Sequence, residues 1–243
     1  MFDFFRKPKV AAFNYETVAV DMHSHVLPGI DDGAPTPEDS IILIRKMMSL
    51  GISKIIATPH IMADYYRNTP ETINNALQLL KAALVKEQIN IPISAAAEHY
   101  FDENFEQAIN EGRAMTMGDK YVLFELSFLS MPGNILEMIR RMREVGYRPI
   151  LAHPERYLYM SVDQLKRIHD EGCDLQLNTI SLTGYFGKAS KKIAEELIDR
   201  QMVDFISSDM HHPRHATAFE EALRMPYLEK VLFDYPLKNK LLL

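Results

Sequence analysis

The sequence of 243 residues predicts an α/β protein whose parallel sheet is closed, or nearly closed, into a barrel. Apolar, β-rich runs alternate with amphipathic helical stretches from about residue 18 to about residue 211, which is typical of strands joined by helical crossovers. No low-complexity linker, repeat or composition break divides the chain. We therefore expect one domain over residues 1–243, with residues 1–17 as an N-terminal extension. An open doubly wound sheet is the alternative, since its buried strands give similar runs.

Seven runs are predicted as strands, at residues 18–22, 54–58, 91–97, 121–126, 149–152, 174–178 and 204–208. The segments between them carry helix start signals, which are an N-cap hydroxyl with a first-turn proline or a capping box, and glycines that end helices. In chain order these signals are Thr36-Pro37, Gly51, Thr69-Pro70, Gly146, Ser161 with Gln164, and Gly172. The tail after about Tyr227 is predicted to dock on the rest of the domain.

The composition excludes several classes of protein. A formal net charge of -6 gives no support to nucleic-acid binding, and it suits a site that holds cations. The single cysteine, Cys173, excludes an intramolecular disulfide. Residues 1–10 contain no apolar stretch of signal-peptide length, and no segment approaches the roughly 20 apolar residues of a membrane span. We therefore expect a cytoplasmic protein without a membrane span.

Residues that could bind metal ions gather at the last position of a predicted strand or just beyond it. His23 and His25 follow the first strand, and because strand side chains alternate, both point the same way and can chelate one ion. The turn-rich loop after them carries Asp31 and Asp32. The later strands end at or near His60, Glu98, Glu125, His153, Asp209 and His211. In an α/β barrel these ends open onto one face, where active sites form.

Three carboxylates, Glu98, Glu125 and Asp209, lie in otherwise apolar, strand-like runs. A carboxylate is rarely buried unless it is paired with a cation or bound to a metal, and divalent ions would offset the cost of burial. Glu125 could instead be a buried carboxylate paired with an arginine. Imidazole and carboxylate groups without thiolates indicate Mn²⁺, Fe or Zn²⁺ rather than an iron–sulfur cluster.

These motifs resemble those of the PHP (polymerase and histidinol phosphatase) superfamily, most closely its branch of bacterial capsule-associated protein-tyrosine phosphatases. The matching stretches span nearly the whole chain in the family's order: His23-Ser24-His25, Asp31-Asp32-Gly33, Thr58-Pro59-His60, Ala97-Glu98, Phe124-Glu125, Ala152-His153-Pro154-Glu155-Arg156 and Ser208-Asp209-Met210-His211. The Asp-Asp-Gly loop and the Glu155-Arg156 pair separate this branch from histidinol phosphatases. The N-terminal extension is a departure, because many members begin almost at the His-x-His motif.

The resemblance implies a PHP fold, which is a distorted (β/α)7 TIM-like barrel of seven strands. It also implies a cluster of three divalent ions, with Mn²⁺ as the first expectation and Fe or Zn²⁺ as alternatives. The implied metal ligands are His23, His25, Asp32, His60, Glu98, Glu125, His153, Asp209 and His211. Among them, His60 and Asp209 would be essential for catalysis, and Glu98 would bridge two ions.

Three arginines are expected to bind substrate. Arg156 and Arg214 match arginines that would contact the phosphate by charge-assisted, forked hydrogen bonds. Arg67 follows His60 in a loop that could line the mouth of the substrate site, together with Tyr65 and Tyr66. No residue stands out as the proton donor to the leaving tyrosyl oxygen.

The implied activity is hydrolysis of phosphotyrosine in proteins. The expected partner is an autophosphorylated bacterial tyrosine kinase that controls capsular or exopolysaccharide synthesis, approached through its C-terminal tail, with recruitment to a membrane kinase. Phosphate ester hydrolysis requires stabilised phosphoryl charge and a supply of hydroxide near neutral pH, and clustered cations provide both. A cysteine phosphatase is excluded, because the residue six positions after Cys173 is Thr179 rather than arginine.

Other functions stay open at this point. The same scaffold could hydrolyse a small phosphoester such as histidinol phosphate. A non-catalytic PHP domain would only bind a partner, but no ligand position is missing from this sequence. Hydrolysis of amides at a binuclear barrel site is disfavoured, because no lysine lies at a strand end as a carbamylated bridge would require.

Some ionisable residues beside the motifs receive a structural interpretation. His99 follows Glu98 and should therefore point to the opposite side of its strand. His212 and His215 are expected in a polar loop, in solvent or in loose contact with substrate. Asp31 could orient a histidine from behind.

Overall fold

Parallel strands and helices alternate along the part of the chain that the computed structural model describes, residues 13–243. The predicted N-terminal extension lies mostly outside this range, and of it only residues 13–17 are described, with a short 3-10 helix at Tyr15–Thr17. The described strands are β1 Val20–Asp21, β2 Lys54–Ala57, β3 His60–Ile61, β4 Ile93–Ala95, β5 Glu98–Tyr100, β6 Tyr121–Glu125, β7 Arg148–Ala152, β8 Asp174–Asn178 and β9 Phe205–Ser207.

Helices lie between most of these strands, and several of them begin or end where the predicted signals lie. The described α-helices are α1 Pro37–Ser49, α2 Pro70–Lys86, α3 Glu103–Asn110, α4 Ile135–Glu144, α5 Val162–Asp170, α6 Lys188–Asp199, α7 Pro213–Ala222 and α8 Pro226–Asp234. The Thr36 side chain accepts a hydrogen bond at the start of α1, and Ser161 and Gln164 form the predicted capping box of α5. Gly51, which adopts a positive φ of 103°, ends the turn after α1.

The strands form two parallel sheets, in the orders β1-β2-β4 and β3-β5-β6-β7-β8-β9. The predicted α/β architecture is confirmed, but the described residues do not form a single closed sheet of seven continuous strands. The second and third predicted strands are each divided, into β2 with β3 and β4 with β5. Pro59 supplies the physical reason at the first break, because it has no N–H to donate to the ladder.

The chain segments that follow β1 and β9 pair with each other beside the two sheets. The backbone N–H of His25 donates to the carbonyl of Met210 at 2.9 Å, and that of Asp209 donates to the carbonyl of His23 at 2.9 Å. Ser24 and Met210 form a parallel bridge at the same place. The first and last strands are therefore joined at their carboxyl ends.

The C-terminal tail joins the same two strands at their opposite ends, as predicted for a docked segment. The Asn239 amide nitrogen donates to the carbonyls of Val20 at 3.0 Å and Ile206 at 2.8 Å, and the N–H of Ile206 donates to the amide oxygen. Leu242 is buried with Val20 and Phe205 in a small apolar core between the strands. A larger core packs the helices against the outside of the sheets.

No helix within residues 13–243 combines the length and the apolar character that crossing a bilayer would require.

Candidate metal centre

The nine residues predicted as metal ligands lie at one edge of the parallel strands. Each comes from the carboxyl end of a strand, or from the first residue after a break, except Asp32, which lies in the loop between β1 and α1. Parallel strands present their carboxyl ends on one side, and this topology brings together side chains that are distant in sequence. They fall into four overlapping groups whose candidate ligand atoms lie within 4.8 Å of one another. The groups are His25, Asp32, His60 and His211; His23, Glu98 and His153; His23, His25 and Asp209; and His60, Glu98 and Glu125.

Glu98 lies at the centre of the cluster and is fully buried. Its Oε2 atom lies 3.1 Å from His60 Nδ1, 3.2 Å from His23 Nε2 and 3.3 Å from His25 Nε2, yet it accepts no hydrogen bond from a described residue. Its Oε1 atom lies 2.9 Å from His153 Nε2. Ligands held about 2.0–2.2 Å from a shared cation lie about 3.0–3.5 Å from one another, which fits the spacing around Oε2.

The two histidines after β1 present lone pairs to each other. His23 Nδ1 lies 2.8 Å from the amide oxygen of Gln176, and His25 Nδ1 lies 2.8 Å from Asp31 Oδ2. Both partners accept hydrogen bonds, so in a neutral ring the proton is on Nδ1 and the lone pair is on Nε2. The two Nε2 atoms are 3.2 Å apart. Two lone pairs at this distance repel unless a proton or a cation lies between them, so this pair fits a bound cation.

A second pair of histidines surrounds Asp32 at the outer end of the cluster. Asp32 Oδ1 lies 3.4 Å from His60 Nε2 and 3.5 Å from His211 Nε2, and about half of its side chain is exposed. His211 Nδ1 donates to the backbone carbonyl of Asp209 at 2.9 Å, which directs Nε2 toward Asp32. This part of the cluster is therefore the part that solvent reaches.

Two buried acids of the cluster, Glu98 and Asp209, are held in their ionised form. Burial alone would raise the pKa of Glu98, but the neighbouring His23 and His60 outweigh it and hold that pKa well below its ordinary value. The same balance, with His23 as its main partner, lowers the pKa of Asp209. Burial would lower the pKa of His25, yet the Asp31 carboxylate helps to raise it to about 10. Ionised carboxylates at these positions favour any bound cation, proton or metal.

A cavity of about 320 Å³ opens above the cluster. Seven of the predicted ligands line it, together with Met62, Tyr66, Phe128, Arg156, Phe186, His212 and His215. Arg156 follows β7 and its Nη1 atom donates to Asp209 Oδ2 at 3.1 Å. The ring of Tyr66 stacks on that of His60, with centroids 5.3 Å apart. The cavity thus combines buried carboxylates, imidazoles, one guanidinium and aromatic walls.

The other predicted substrate residues lie outside the lining of this cavity. Arg67 is exposed, and its Nε atom donates to the carbonyl of Ala63 at 2.8 Å. Arg214 is exposed in the first turn of α7. Their roles in substrate binding therefore stay predictions. His99 points away from the cluster as expected, since its Nε2 accepts a hydrogen bond from the N–H of Met115 at 3.2 Å.

Two residues behind the cluster were not anticipated from the sequence. Gln176 accepts from the ring of His23, and Asn178 donates to Asp209 Oδ2 at 2.9 Å. Both are fully buried on β8. The sequence did contain a sign of this role. The two amides alternate with leucines along an otherwise apolar strand, so both side chains face the same side of the sheet. The nearby Asp21 carboxylate accepts hydrogen bonds from the Ser207 hydroxyl and the Ser208 N–H, and it forms none with a described histidine.

The fold and the cluster together define a parallel α/β protein with a candidate metal centre at the carboxyl ends of its strands. The family model for capsular polysaccharide synthesis, CpsB/CapC, matches residues 19–232. The chain belongs to the CpsB/CapC family.

Named relatives and solved structures agree with this assignment. The tyrosine-protein phosphatase YwqE of Bacillus subtilis is 32% identical over 79% of this chain and 77% of its own length. The tyrosine-protein phosphatase CpsB of Streptococcus pneumoniae is 29% identical over 79% of this chain and 83% of its own. A crystal structure from work on YwqE and CpsB, described as metal-dependent tyrosine phosphatases, superposes with a TM-score of 0.82 at 29% identity, covering 92% of this chain and 93% of the other.

More distant structures share the fold alone. An amidohydrolase from Mycoplasma synoviae superposes with a TM-score of 0.57 at 12% identity, over 95% of this chain and 88% of the other. The phosphotriesterase homology protein of Escherichia coli superposes with a TM-score of 0.52 at 14% identity, over 84% and 86%. These neighbours are consistent with the predicted TIM-like class of α/β fold.

Proposed function

We propose that this chain is a metal-dependent protein-tyrosine phosphatase. The observation that carries the proposal is the convergence of all nine predicted ligands beneath a cavity that Arg156 also lines. The names of the family relatives, tyrosine-protein phosphatases, support phosphotyrosine as the substrate. A phosphate monoester is dianionic near neutral pH, so a site with cations and a guanidinium matches its charge.

Three divalent ions would fit the cluster, with Mn²⁺ as our first choice and Fe or Zn²⁺ as alternatives. One would be held by His23, His25 and Asp209, and another by Asp32, His60 and His211. A further ion would be held by Glu98 and His153, with Glu125 Oε2 4.0 Å from His153 Nε2. Glu98 would bridge, because its two oxygens face different histidines. When bound, such ions lower the pKa of a coordinated water and neutralise charge on the phosphoryl oxygens.

The protein's own groups orient the phosphate and the ligands. Arg156 would hold non-bridging phosphate oxygens, since its remaining N–H groups have no acceptor among the described residues. Asp209 anchors one end of that guanidinium, at 3.1 Å. The aromatic walls exclude water from the reacting group and suit an aryl ester. Arg214 and Arg67 stay predicted substrate contacts outside the cavity.

Substitution of two cluster residues tests the proposal. His60→Ala and Asp209→Ala should each lower phosphate release from a phosphotyrosine peptide by at least about 1,000-fold, because His60 belongs to two of the ligand groups and Asp209 belongs to another and also anchors Arg156. His169→Ala and Asp163→Asn are the matched controls, since both residues lie on α5 away from the cluster. Near-normal turnover by either cluster variant would refute the proposal.

The substrate is tested by direct competition. Phosphotyrosine peptide and histidinol phosphate would be compared on one preparation, with the ratio of kcat/KM as the readout. We expect the peptide to be preferred, because the cavity walls are aromatic. Preference for histidinol phosphate would favour the small-molecule alternative, and turnover of neither would favour a non-catalytic binding domain.

We further propose a bacterial tyrosine kinase, bound through its phosphorylated C-terminal tail, as the partner protein. The family description, capsular polysaccharide synthesis, supports this choice. Recruitment to a membrane kinase and a cytoplasmic location stay predictions.

For the architecture, we propose one domain over residues 1–243, with residues 1–17 as an N-terminal extension, in which both sheets belong to one distorted barrel of seven strand positions. The pairing of the segments after β1 and β9 supports closure at one end, and the Asn239 side chain supports it at the other.

A further inference from the structure

The guanidinium of Arg156 lies over two phenylalanine rings. Its Cζ atom is 4.6 Å from the ring centroid of Phe128 and 4.3 Å from that of Phe186. The two rings come from separate segments, after β6 and before α6 respectively. Both distances are well inside the range of about 6 Å in which a ring face attracts a cation.

Each ring is itself supported by neighbouring aromatic side chains. Phe128 packs against His153 and Tyr157, with centroid distances of 5.8 Å and 5.6 Å. Phe186 packs edge-on against Tyr185 at 5.2 Å and His215 at 6.0 Å. Fixed rings offer Arg156 a defined position rather than a mobile apolar surface.

The charge of the surroundings explains why such support would be needed. Four carboxylates, Asp32, Glu98, Glu125 and Asp209, line the same cavity as Arg156. An unsupported guanidinium would be drawn fully onto them, which would neutralise it and compete with a bound cation. Among residues 13–243, the one carboxylate that accepts a hydrogen bond from Arg156 is that of Asp209, which bonds to Nη1. Attraction to a ring face holds the guanidinium without cancelling its positive charge.

We propose that Phe128 and Phe186 are positioning residues that hold the Arg156 guanidinium oriented toward an anionic group in the cavity. The identification of that anion as a phosphate group rests on the proposed function. The two rings would act through Arg156, so their effect must disappear when Arg156 is absent.

A double-mutant cycle tests this coupling, with inorganic phosphate as the probe on metal-loaded protein. Phe128→Leu and Phe186→Leu, each in the wild-type and Arg156→Ala backgrounds, would be titrated by calorimetry. In the wild-type background each should raise the Kd of phosphate by roughly 3- to 30-fold, the range expected for one cation–π contact. In the Arg156→Ala background each should change the Kd by less than about twofold.

Conservative variants of the two phenylalanines, and a variant of a neighbouring residue, distinguish the positioning of Arg156 from a general disturbance of the local structure. Phe128→Tyr and Phe186→Tyr keep the ring faces and should retain wild-type phosphate affinity. Leu129→Ala is the neighbouring control, because this side chain is exposed and does not line the cavity. Bound metal would be measured for every variant and should not change.

Two results would overturn the inference. Leucine variants that bind phosphate as tightly as the wild type would show that the rings do not position Arg156. An equal loss with and without Arg156 would show that they act on the ligand independently. A wild-type protein that binds phosphate but does not hydrolyse phosphotyrosine would instead contradict the proposed function alone, since the cycle reads binding.

Discussion

Three histidines of the cluster, His23, His25 and His211, are oriented by hydrogen bonds on the sides that face away from it. Gln176 holds the ring of His23, Asp31 holds that of His25, and the backbone carbonyl of Asp209 holds that of His211. Each acceptor fixes the proton on Nδ1 and leaves Nε2 for a cation. The outer partners therefore decide which nitrogen is available.

Gln176→Leu tests this role at the level of one residue. Loss of the acceptor frees the His23 ring to rotate, so metal affinity should fall by about 10- to 100-fold with the fold retained. Competition with a chelator of known affinity would measure the change. Gln107→Ala is the control, because Gln107 is on the exposed face of α3 and pairs only with Glu111. Unchanged metal affinity in Gln176→Leu would contradict the assignment.

His99 gives a prediction about stability and pH. Burial lowers the pKa of His99 from the usual 6.5 to about 4, so between these pH values His99 is protonated in the unfolded chain and neutral in the folded chain. The contribution of neutral His99 to the unfolding free energy is therefore complete above pH 6.5 and is lost as the pH falls from 6.5 toward 4. Between pH 8 and pH 5 the loss should be about 2 kcal/mol of unfolding free energy.

Urea unfolding of the wild type and His99→Gln at several pH values would measure this effect. The glutamine can still accept from the Met115 N–H but does not titrate, so its stability should fall less toward pH 5. His169 is a contrasting control. The Asp204 carboxylate raises the pKa of His169, so that histidine stabilises the fold below its unfolded pKa, and its contribution is lost as the pH rises. Parallel pH profiles for wild type and His99→Gln would contradict the prediction.

At the scale of the element, the loop after β1 packs directly against His25 at the end of that strand. The N–H of Ala34 donates to the carbonyl of His25 at 3.0 Å, and the N–H of Gly33 donates to Asp31 Oδ1 at 3.0 Å. A Cβ at Gly33 would lie 2.5 Å from the Cβ of His25 and still closer to its carbonyl oxygen. Only glycine allows this approach, which holds Asp31 and Asp32 beside the histidines.

Gly33→Ala should therefore displace the loop. We expect metal affinity to fall by at least about tenfold and the unfolding free energy to fall by roughly 1–3 kcal/mol, the usual cost of overpacking. Calorimetric metal titration and thermal unfolding would measure the two changes. Gly133→Ala is the matched control, since a Cβ there would meet no atom within 4 Å. A Gly33→Ala protein that binds metal normally would show that the loop tolerates the displacement.

At the scale of the whole molecule, folding brings several carboxylates close together, and bound cations would offset their mutual repulsion. These carboxylates and the cluster imidazoles come from six strand ends and one loop, and most of them are buried. Bound ions would stabilise the folded chain because they bind the assembled cluster and not the scattered ligands of the unfolded chain.

Chelation should therefore lower thermal stability as well as activity. A site saturated at about 100 times its Kd contributes about 2.7 kcal/mol, which for a chain of this size corresponds to a fall of roughly 5–10 °C in Tm. Re-addition of Mn²⁺ should restore both Tm and phosphate release. Asp209→Asn should show a smaller shift on chelation, because one ligand oxygen is lost. A Tm that is insensitive to chelator in the wild type would argue against a stabilising metal centre.

Several features of the centre could be predicted from local pattern. Strand alternation placed His23 and His25 on one side and His99 on the other, and the structure confirms both predictions. The predicted strand at residues 54–58 missed the break at Pro59, although a proline with no N–H to donate to the ladder was visible in the sequence. Pattern also did not identify Gln176, whose role depends on the position of β8 behind the first strand. Arg67 was chosen by its position after His60 and Arg214 by its match to the resembled family, and neither lines the cavity.

By itself, the sequence determined the class of fold, the helix ends and the chemistry of the ligands. These follow from periodicity, capping residues and side-chain type, which act over a few neighbouring residues. Only the tertiary structure decided which ligands share an atom of Glu98, which nitrogen of each histidine is free, and that two phenylalanines flank Arg156. These contacts join residues that are 28 to 153 positions apart in the chain, and their geometry depends on how strands and loops pack rather than on local sequence.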